Sequence, residues 1–187
     1  MNIQMMREGL GKFIDSLELK FTEADREKIL QNLEKLWSEV LLAGYREDPG
    51  QALSFRQQAG SRDPVYIVKL PFVSVCQDHF LPFSGLVSVG YVPDQEIIGL
   101  SNVGKLIQIL SARLQTQEHL TTGIAETIYQ AILPVSVGVH VIAQQYCMRA
   151  RFPAQSISEV ITTSFRGEDP SETFKRDFLE MVSGCRL

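Results

Sequence analysis

The sequence predicts an α+β fold: an antiparallel four-stranded sheet with two helices on one face, preceded by a helical N-terminal extension. Three observations lead there. Residues 2–45 carry apolar side chains at helical spacing. From Val65 the text changes to short runs of β-branched and aromatic residues, the composition strands favour. Those runs come as strand, strand, helix, helix, strand, strand, and two hairpins bracketing a helical pair leave the helices on one face of the sheet.

The extension spans residues 1–45. Thr22-Glu23-Ala24-Asp25 has a hydroxyl followed by acids, the pattern of a helix start. Leu30, Leu33, Trp37, Val40 and Leu41 then form one apolar face, and Gly44 is the expected stop. Residues 46–64 are polar, contain Asp48-Pro49-Gly50 and Asp63-Pro64, and read as a connecting loop. The main domain is expected over 65–187. Val65–Val68 and Phe72–Val75 read as strand, with Pro71 marking an edge or a bulge. Leu86–Val92 reads as the second strand. Ser101 is placed to cap a helix whose apolar face is Val103, Leu106, Ile107 and Leu110. A second helix over about 117–133 turns Leu120, Ile124, Ile128 and Ile132 inward and stops before Pro134. Val135, Val137, Val139 and Val141 alternate as a strand does. Val160–Thr163 reads as the fourth strand, and residues 170–183 as a closing amphipathic helix. Such a sheet has open edges, which predicts a ring-like homo-oligomer.

Composition narrows the function. The chain has 187 residues, 44% hydrophobic and 21% charged, and is long enough to bury one core. Its formal net charge of -4 argues against a broad electrostatic surface for nucleic acid. No apolar run reaches the roughly 18 residues of a membrane span, and Met1-Asn2-Ile3-Gln4 lacks the layout of a signal peptide. The three cysteines form no disulfide framework. A reducing cytoplasm is the simplest setting.

The chemistry concentrates in Cys76-Gln77-Asp78-His79 and in Cys147. Cys76 and His79 stand at typical zinc-ligand spacing. Cys147 follows a different strand and reaches them only if the two strands are neighbours, which the hairpin layout permits. Two thiolates and one imidazole suit zinc with an open fourth position, the mark of a catalytic rather than a structural ion. Zinc lowers the pKa of a water there towards neutrality.

Four stretches together resemble the GTP cyclohydrolase I family. Cys76-Gln77-Asp78-His79-Phe80-Leu81-Pro82-Phe83-Ser84-Gly85 is similar to its C-E-H-H-x-x-P-F-x-G run, and Ile98-Gly99-Leu100-Ser101 to its G-L-S helix start. Gln115-Thr116-Gln117-Glu118-His119-Leu120-Thr121 resembles Q-x-Q-E-R-L-T, and Gln145-Tyr146-Cys147-Met148-Arg149-Ala150-Arg151 resembles H-x-C-x-x-x-R. The resemblance covers about Val65 to Phe178. It implies the tunnelling fold, in which the sheets of several subunits join into a barrel, usually as a decamer of two pentamers. It implies zinc on Cys76, His79 and Cys147, and opening of the imidazole ring of GTP by attack of zinc-bound water on C8. Formate is then released and the sugar rearranged to give dihydroneopterin triphosphate.

The same resemblance assigns substrate residues. Glu118 matches the guanine anchor, since a carboxylate accepts from the guanine amino group and ring N–H together. Gln117 matches a helper in that pocket. Ser101, Lys105 and Arg151 match triphosphate contacts, although Asn102 replaces a frequent Lys and Lys105 a frequent Arg. The family's T-P-x-R-V-x-K stretch is absent: the corresponding region reads Arg26-Glu27-Lys28-Ile29-Leu30. Most consequentially, both catalytic-histidine positions are substituted, one by Asp78 and one by Gln145. Histidine suits repeated proton transfer near pH 7. Aspartate can move protons; glutamine cannot titrate and can only position a water or a carbonyl.

Two functions of different class are therefore expected to compete. One is a zinc-dependent ring-opening enzyme acting on GTP or a related purine nucleotide. The other is a degenerate member that binds zinc and a purine or pterin without turnover. A further class on the same scaffold would use Cys76 as a free nucleophile, like the nitrile reductases of deazaguanine metabolism.

Overall fold

The computed structural model describes residues 1–152, 159–167 and 171–184. The N-terminal extension is a helical hairpin. Helix α1 (Ile3–Ser16) begins where the Asn2 side chain accepts from the Met5 amide. Helix α2 (Glu23–Lys35) begins at Thr22, whose hydroxyl accepts from the Asp25 amide as its sequence suggests. Arg7 near the start of α1 pairs with Glu34 near the end of α2, and Asp15 near the end of α1 pairs with Arg26 near the start of α2, so the helices run antiparallel. After α2 the chain continues as a π-helical turn, Leu36–Leu41, and a 3₁₀ turn, Ala43–Arg46. Gly44 does not end a helix there. It makes a close approach, its N–H donating to the Ala112 carbonyl at 3.0 Å, and a Cβ would sit 2.0 Å from the Ile109 carbonyl oxygen. Only glycine lets the extension dock this closely.

The segment expected as a loop over 46–64 carries structure of its own. Pro49 occupies the first turn of a short helix, α3 (Pro49–Ala52), capped by Asp48, where its missing N–H costs nothing. Strand β1 (Arg56–Gln58) pairs with β4 (Glu96–Ile98) in a separate two-stranded sheet.

The main sheet contains β2 (Val65–Cys76), β3 (Pro82–Val92), β5 (Leu114–Gln115), β6 (Ser136–Gln145) and β7 (Val160–Arg166) in the order β5-β2-β3-β6-β7. The four long strands are antiparallel neighbours as expected. The correction is the fifth strand, which joins the edge of β2 in parallel through Val75 and Cys76. Two residues show no period, so only docking of the chain between two helices creates it. Strand β2 runs through both expected strand segments, with a register shift between Ile67 and Leu70 and Lys69 at φ +61°. Pro71 lies where β5 does not reach, so its absent N–H leaves no ladder bond unmade.

Helix α4 (Leu100–Ser111) is capped by the Gly99 position, two residues earlier than the sequence suggests, which places Ser101 inside the first turn. Helix α5 (Gln117–Ile132) begins at Thr116 and ends at Leu133, left-handed at φ +42°, before Pro134. Both pack on one face through Val103, Leu106, Ile107, Leu120, Ile124 and Ile128, against Val87, Val89, Val137, Val139 and Val141. The last helix, α7 (Glu172–Gly184), covers the opposite face. Its Phe174 and Phe178 stack with Tyr66 and meet Phe165 edge-on over Gly90 and Gly138. Those paired glycines leave the room: a Cβ on either would fall 2.7 Å from an aromatic carbon. No helix among the described residues is long and apolar enough to cross a membrane.

His140 also lies on the α7 face of β6, 9% exposed, with Nδ1 2.9 Å from the Thr163 hydroxyl. Burial pushes its pKa down. In the folded state it therefore stays neutral while the unfolded chain titrates near 6.5. Above that pH both states are neutral and His140 contributes nothing to pH dependence. As pH falls through about 6.5 the unfolded state takes the proton first and stability is lost, until the lower folded pKa is reached. His140→Gln is expected to flatten this part of the acid limb. Urea midpoints at pH 8.0 and 5.5 should draw together in the variant; an unchanged difference would contradict it.

Candidate metal centre and ligand pocket

Strand β2 ends at Cys76 and reverses tightly into β3. The Cys76 N–H donates to the Leu81 carbonyl and the Phe80 N–H to the Cys76 carbonyl, both at 2.9 Å. Phe80 closes this turn in the left-handed region at φ +55°, an uncommon conformation for a bulky residue. Its ring lies 5.9 Å from that of Trp37, so the π-helical turn of the extension rests on this hairpin. The reversal brings His79 Nδ1 to 3.6 Å from Cys76 Sγ.

Cys147 arrives from the other side of β3. Strand β6 is antiparallel to β3, and Gln145 is paired with Phe83. The end of β6 thus lies beside the start of β3. The chain then enters a short helix, α6 (Tyr146–Arg151), with Cys147 in its first turn. The ligand atoms of Cys76, His79 and Cys147 all lie within 4.8 Å of one another.

The third contribution comes with β5. Cys76 is paired with Gln115, and the Gln77 N–H donates to the Gln115 carbonyl at 3.2 Å. This delivers the N-terminus of α5 to the same place. A cavity of about 220 Å³ results, lined by Cys76, Asp78, His79, Gln117, Glu118, Gln145 and Cys147, together with Phe83, Gln115, Thr116 and Val160. Gln145 faces it because Val137, Val139, Val141, Ala143 and Gln145 alternate onto the helix-bearing side of β6. Gln145 Nε2 donates to Gln117 Oε1 at 2.8 Å. Gln117 is 3% exposed, and its Nε2 reaches the carbonyls of Val160 at 2.9 Å and Val141 at 3.2 Å. Asp78 and Glu118 are exposed at the rim.

Ser101, Lys105 and Arg151 do not line this cavity. Ser101 is exposed on α4, and Lys105, one turn on, lies 3.9 Å from Glu47 in a separate cavity with Arg46 and Asp48. Arg151 is exposed at the end of α6. Sequence reasoning assigned no role to Gln115 or Thr116. Both stand in the same Gln-Thr-Gln-Glu run as Gln117 and Glu118, and the signal was the run itself.

The donor set fits zinc. A sulfur about 2.3 Å and a nitrogen about 2.0–2.1 Å from a tetrahedral zinc are roughly 3.5 Å apart, and the Cys76 sulfur and His79 nitrogen are separated by 3.6 Å. The softness of two thiolates and the three-ligand count match a zinc site with a fourth position left for a small ligand.

Comparison with known proteins follows the same line. The model of the GTP cyclohydrolase I family matches residues 7–183. The chain is 32% identical to GTP cyclohydrolase 1 of Campylobacter lari over 174 residues, covering 91% of this chain and 92% of that one. It is 39% identical to GTP cyclohydrolase 1 of Helicobacter pylori strain G27 over 156 residues, covering 81% and 85%. The crystal structure of archaeosine synthase QueF-Like in the apo form is a weaker likeness. It has a TM-score of 0.47 and 22% identity, covering 59% of this chain and 99% of that one.

Proposed function

Because the chain belongs to the GTP cyclohydrolase I family, we propose that it is a zinc-dependent hydrolase acting on GTP or a related purine nucleotide. The reaction opens the imidazole ring towards a pterin precursor. The observation that carries this reading is the convergence of Cys76, His79 and Cys147 on the cavity that also holds Gln117 and Glu118. The ion would be held by those three side chains, and the chemistry it supplies when bound is Lewis acidity, easing deprotonation of water near neutral pH.

The remaining work falls to this chain's own residues. Glu118, in the first turn of α5, accepts hydrogen bonds from the guanine amino group and ring N–H, which selects guanine over adenine. Water adds across C8=N7, and the C8–N9 bond then breaks to leave a formamide. Asp78 carries the proton lost by the adding water to N7 and then the carbinol proton to N9, and a second water hydrolyses the formamide to formate. Gln145 cannot move a proton; it holds a position. Glu118→Gln is expected to weaken GTP binding roughly 10–100-fold, the value of charge-assisted hydrogen bonds, with little change for ATP. Calorimetric titration with both nucleotides checks this, and equal loss for the two would contradict the guanine assignment.

One observation favours a second reading, a binding protein without turnover. Gln145 is an amide tied to another amide, so neither end of that pair can serve as acid or base.

In this reading the protein acts as a homo-oligomer in the cytoplasm, where a reducing environment keeps both thiols available, and a decamer of two pentameric barrels is the expected form. Two features support it. Strand β7 forms one end of the sheet order, and β2 is covered by only the two residues of β5 at the other. Ser101, Lys105 and Arg151 do not line their own chain's cavity, which leaves them available to a nucleotide held at a subunit boundary. Sedimentation at micromolar concentration should give a ten-chain mass; a monomer would contradict the assembly.

A further inference from the structure

The geometry points to Gln145 as a fixed hydrogen-bond acceptor that selects donor groups in the pocket, held in that sense by Gln117 as a positioning residue. The inference rests on the guanine-nucleotide reading only for the identity of the ligand.

The orientation of both amides follows from chemistry rather than from distances alone. A carbonyl oxygen can only accept. Gln117 faces the carbonyls of Val141 and Val160, so its NH₂ must point at them. That leaves Gln117 Oε1 towards Gln145, and an oxygen there can be met only by a donor. Gln145 must therefore present Nε2, as the 2.8 Å contact has it. Exchanging oxygen and nitrogen in either side chain would set acceptor against acceptor or donor against donor. The relay admits one arrangement, and the Gln145 oxygen is its free end. Among the described residues that Oε1 makes no hydrogen bond, yet no buried side-chain oxygen or nitrogen lacks a partner. The atom is accordingly open to the cavity that Gln145 lines.

Gln115 obeys the same logic. Its Nε2 reaches the Leu110 carbonyl and the Ser74 hydroxyl, which leaves its oxygen as the remaining polar atom. With the carboxylates of Asp78 and Glu118 on the same cavity, the polar side chains on this wall are weighted towards acceptors. A wall of this kind fits a planar ligand whose edge carries N–H donors, or a water that donates. It disfavours a ligand presenting carbonyl or unprotonated ring nitrogen there. The fixed orientation also makes position 145 insensitive to pH, because an amide does not titrate.

Neutron diffraction of the zinc-loaded protein exchanged into D₂O distinguishes the two ends of an amide directly. The expected map shows the Gln117 ND₂ group on the Val141 and Val160 carbonyls, and Gln145 Oε1 facing the cavity and accepting from a D₂O molecule. A Gln145 ND₂ group facing the cavity would overturn the inference. A second arm uses GTP as probe. Gln145→Leu removes the acceptor and should weaken binding about 2–12-fold. Gln145→His can donate one ring N–H to Gln117 and keep the other nitrogen as acceptor, so at pH 8 it should restore affinity to within about threefold of wild type. Unchanged affinity in Gln145→Leu would also overturn the inference. A wild-type protein with no GTP affinity would sink the guanine-nucleotide reading instead, and the neutron map alone would then decide the role of Gln145.

Discussion

Cys147→Ser is expected to strip the protein of its metal. In the proposed centre Cys147 would reach the ion from the far side of β3, in the first turn of α6, while Cys76 and His79 share one hairpin. A serine hydroxyl is a hard, neutral ligand where zinc prefers a thiolate. Loss of outer-shell support alone typically costs 10–100-fold in metal affinity, so loss of a direct ligand should exceed about 100-fold. Elemental analysis after dialysis against a graded chelator should find one zinc per chain in the wild type and almost none in the variant. Formate release from GTP should vanish with it. The side chain belongs to the pocket rather than the hydrophobic core, so circular dichroism should be unchanged. A variant that keeps its zinc would remove Cys147 from the centre.

Asp78→Asn is expected to separate binding from chemistry. Asp78 is exposed at the cavity rim, so the substitution removes a carboxylate without leaving a buried polar group unpaired. Asparagine keeps the shape and cannot accept the proton that leaves the adding water. Losing one acid-base group typically costs about 10²–10⁴ in rate. Zinc content should be retained and GTP affinity should change little, while single-turnover formate release falls by that factor. Turnover at the wild-type rate would show that protons travel by another route.

The Cys76–His79 pair was legible because its spacing belongs to one local turn. Cys147 was joined to it through motif resemblance, since nothing local in the sequence says that the end of β6 lies beside the start of β3. Gln117 and Glu118 stood out as part of a dense motif, but the hydrogen bond from Gln145 to Gln117 joins residues 28 apart and depends on strand register. Ser101 was misplaced as a cap because hydroxyls favour that position. In the fold β4 ends at Ile98 and the helix follows at once, leaving Gly99 as the only residue available. The parallel β5 has too few residues for a period. The closing helix was recognised from its amphipathic pattern, yet its face of the sheet was set by Gly90 and Gly138, which make the hollow for Phe178. A glycine inside each strand carries no pattern of its own, and the two make one hollow only because the register of β3 on β6 sets them opposite each other.

Single-turnover reaction of the zinc-loaded protein in excess over GTP tests the central claim most directly. Formate release and pterin fluorescence would be followed together with a chromatographic assay for ring-opened species. The account predicts formate, or a ring-opened purine at the least, in proportion to zinc content and lost in Cys147→Ser. Intact GTP bound at the site, with neither formate nor any ring-opened species after long incubation, would contradict it and leave a protein that binds its nucleotide without acting on it.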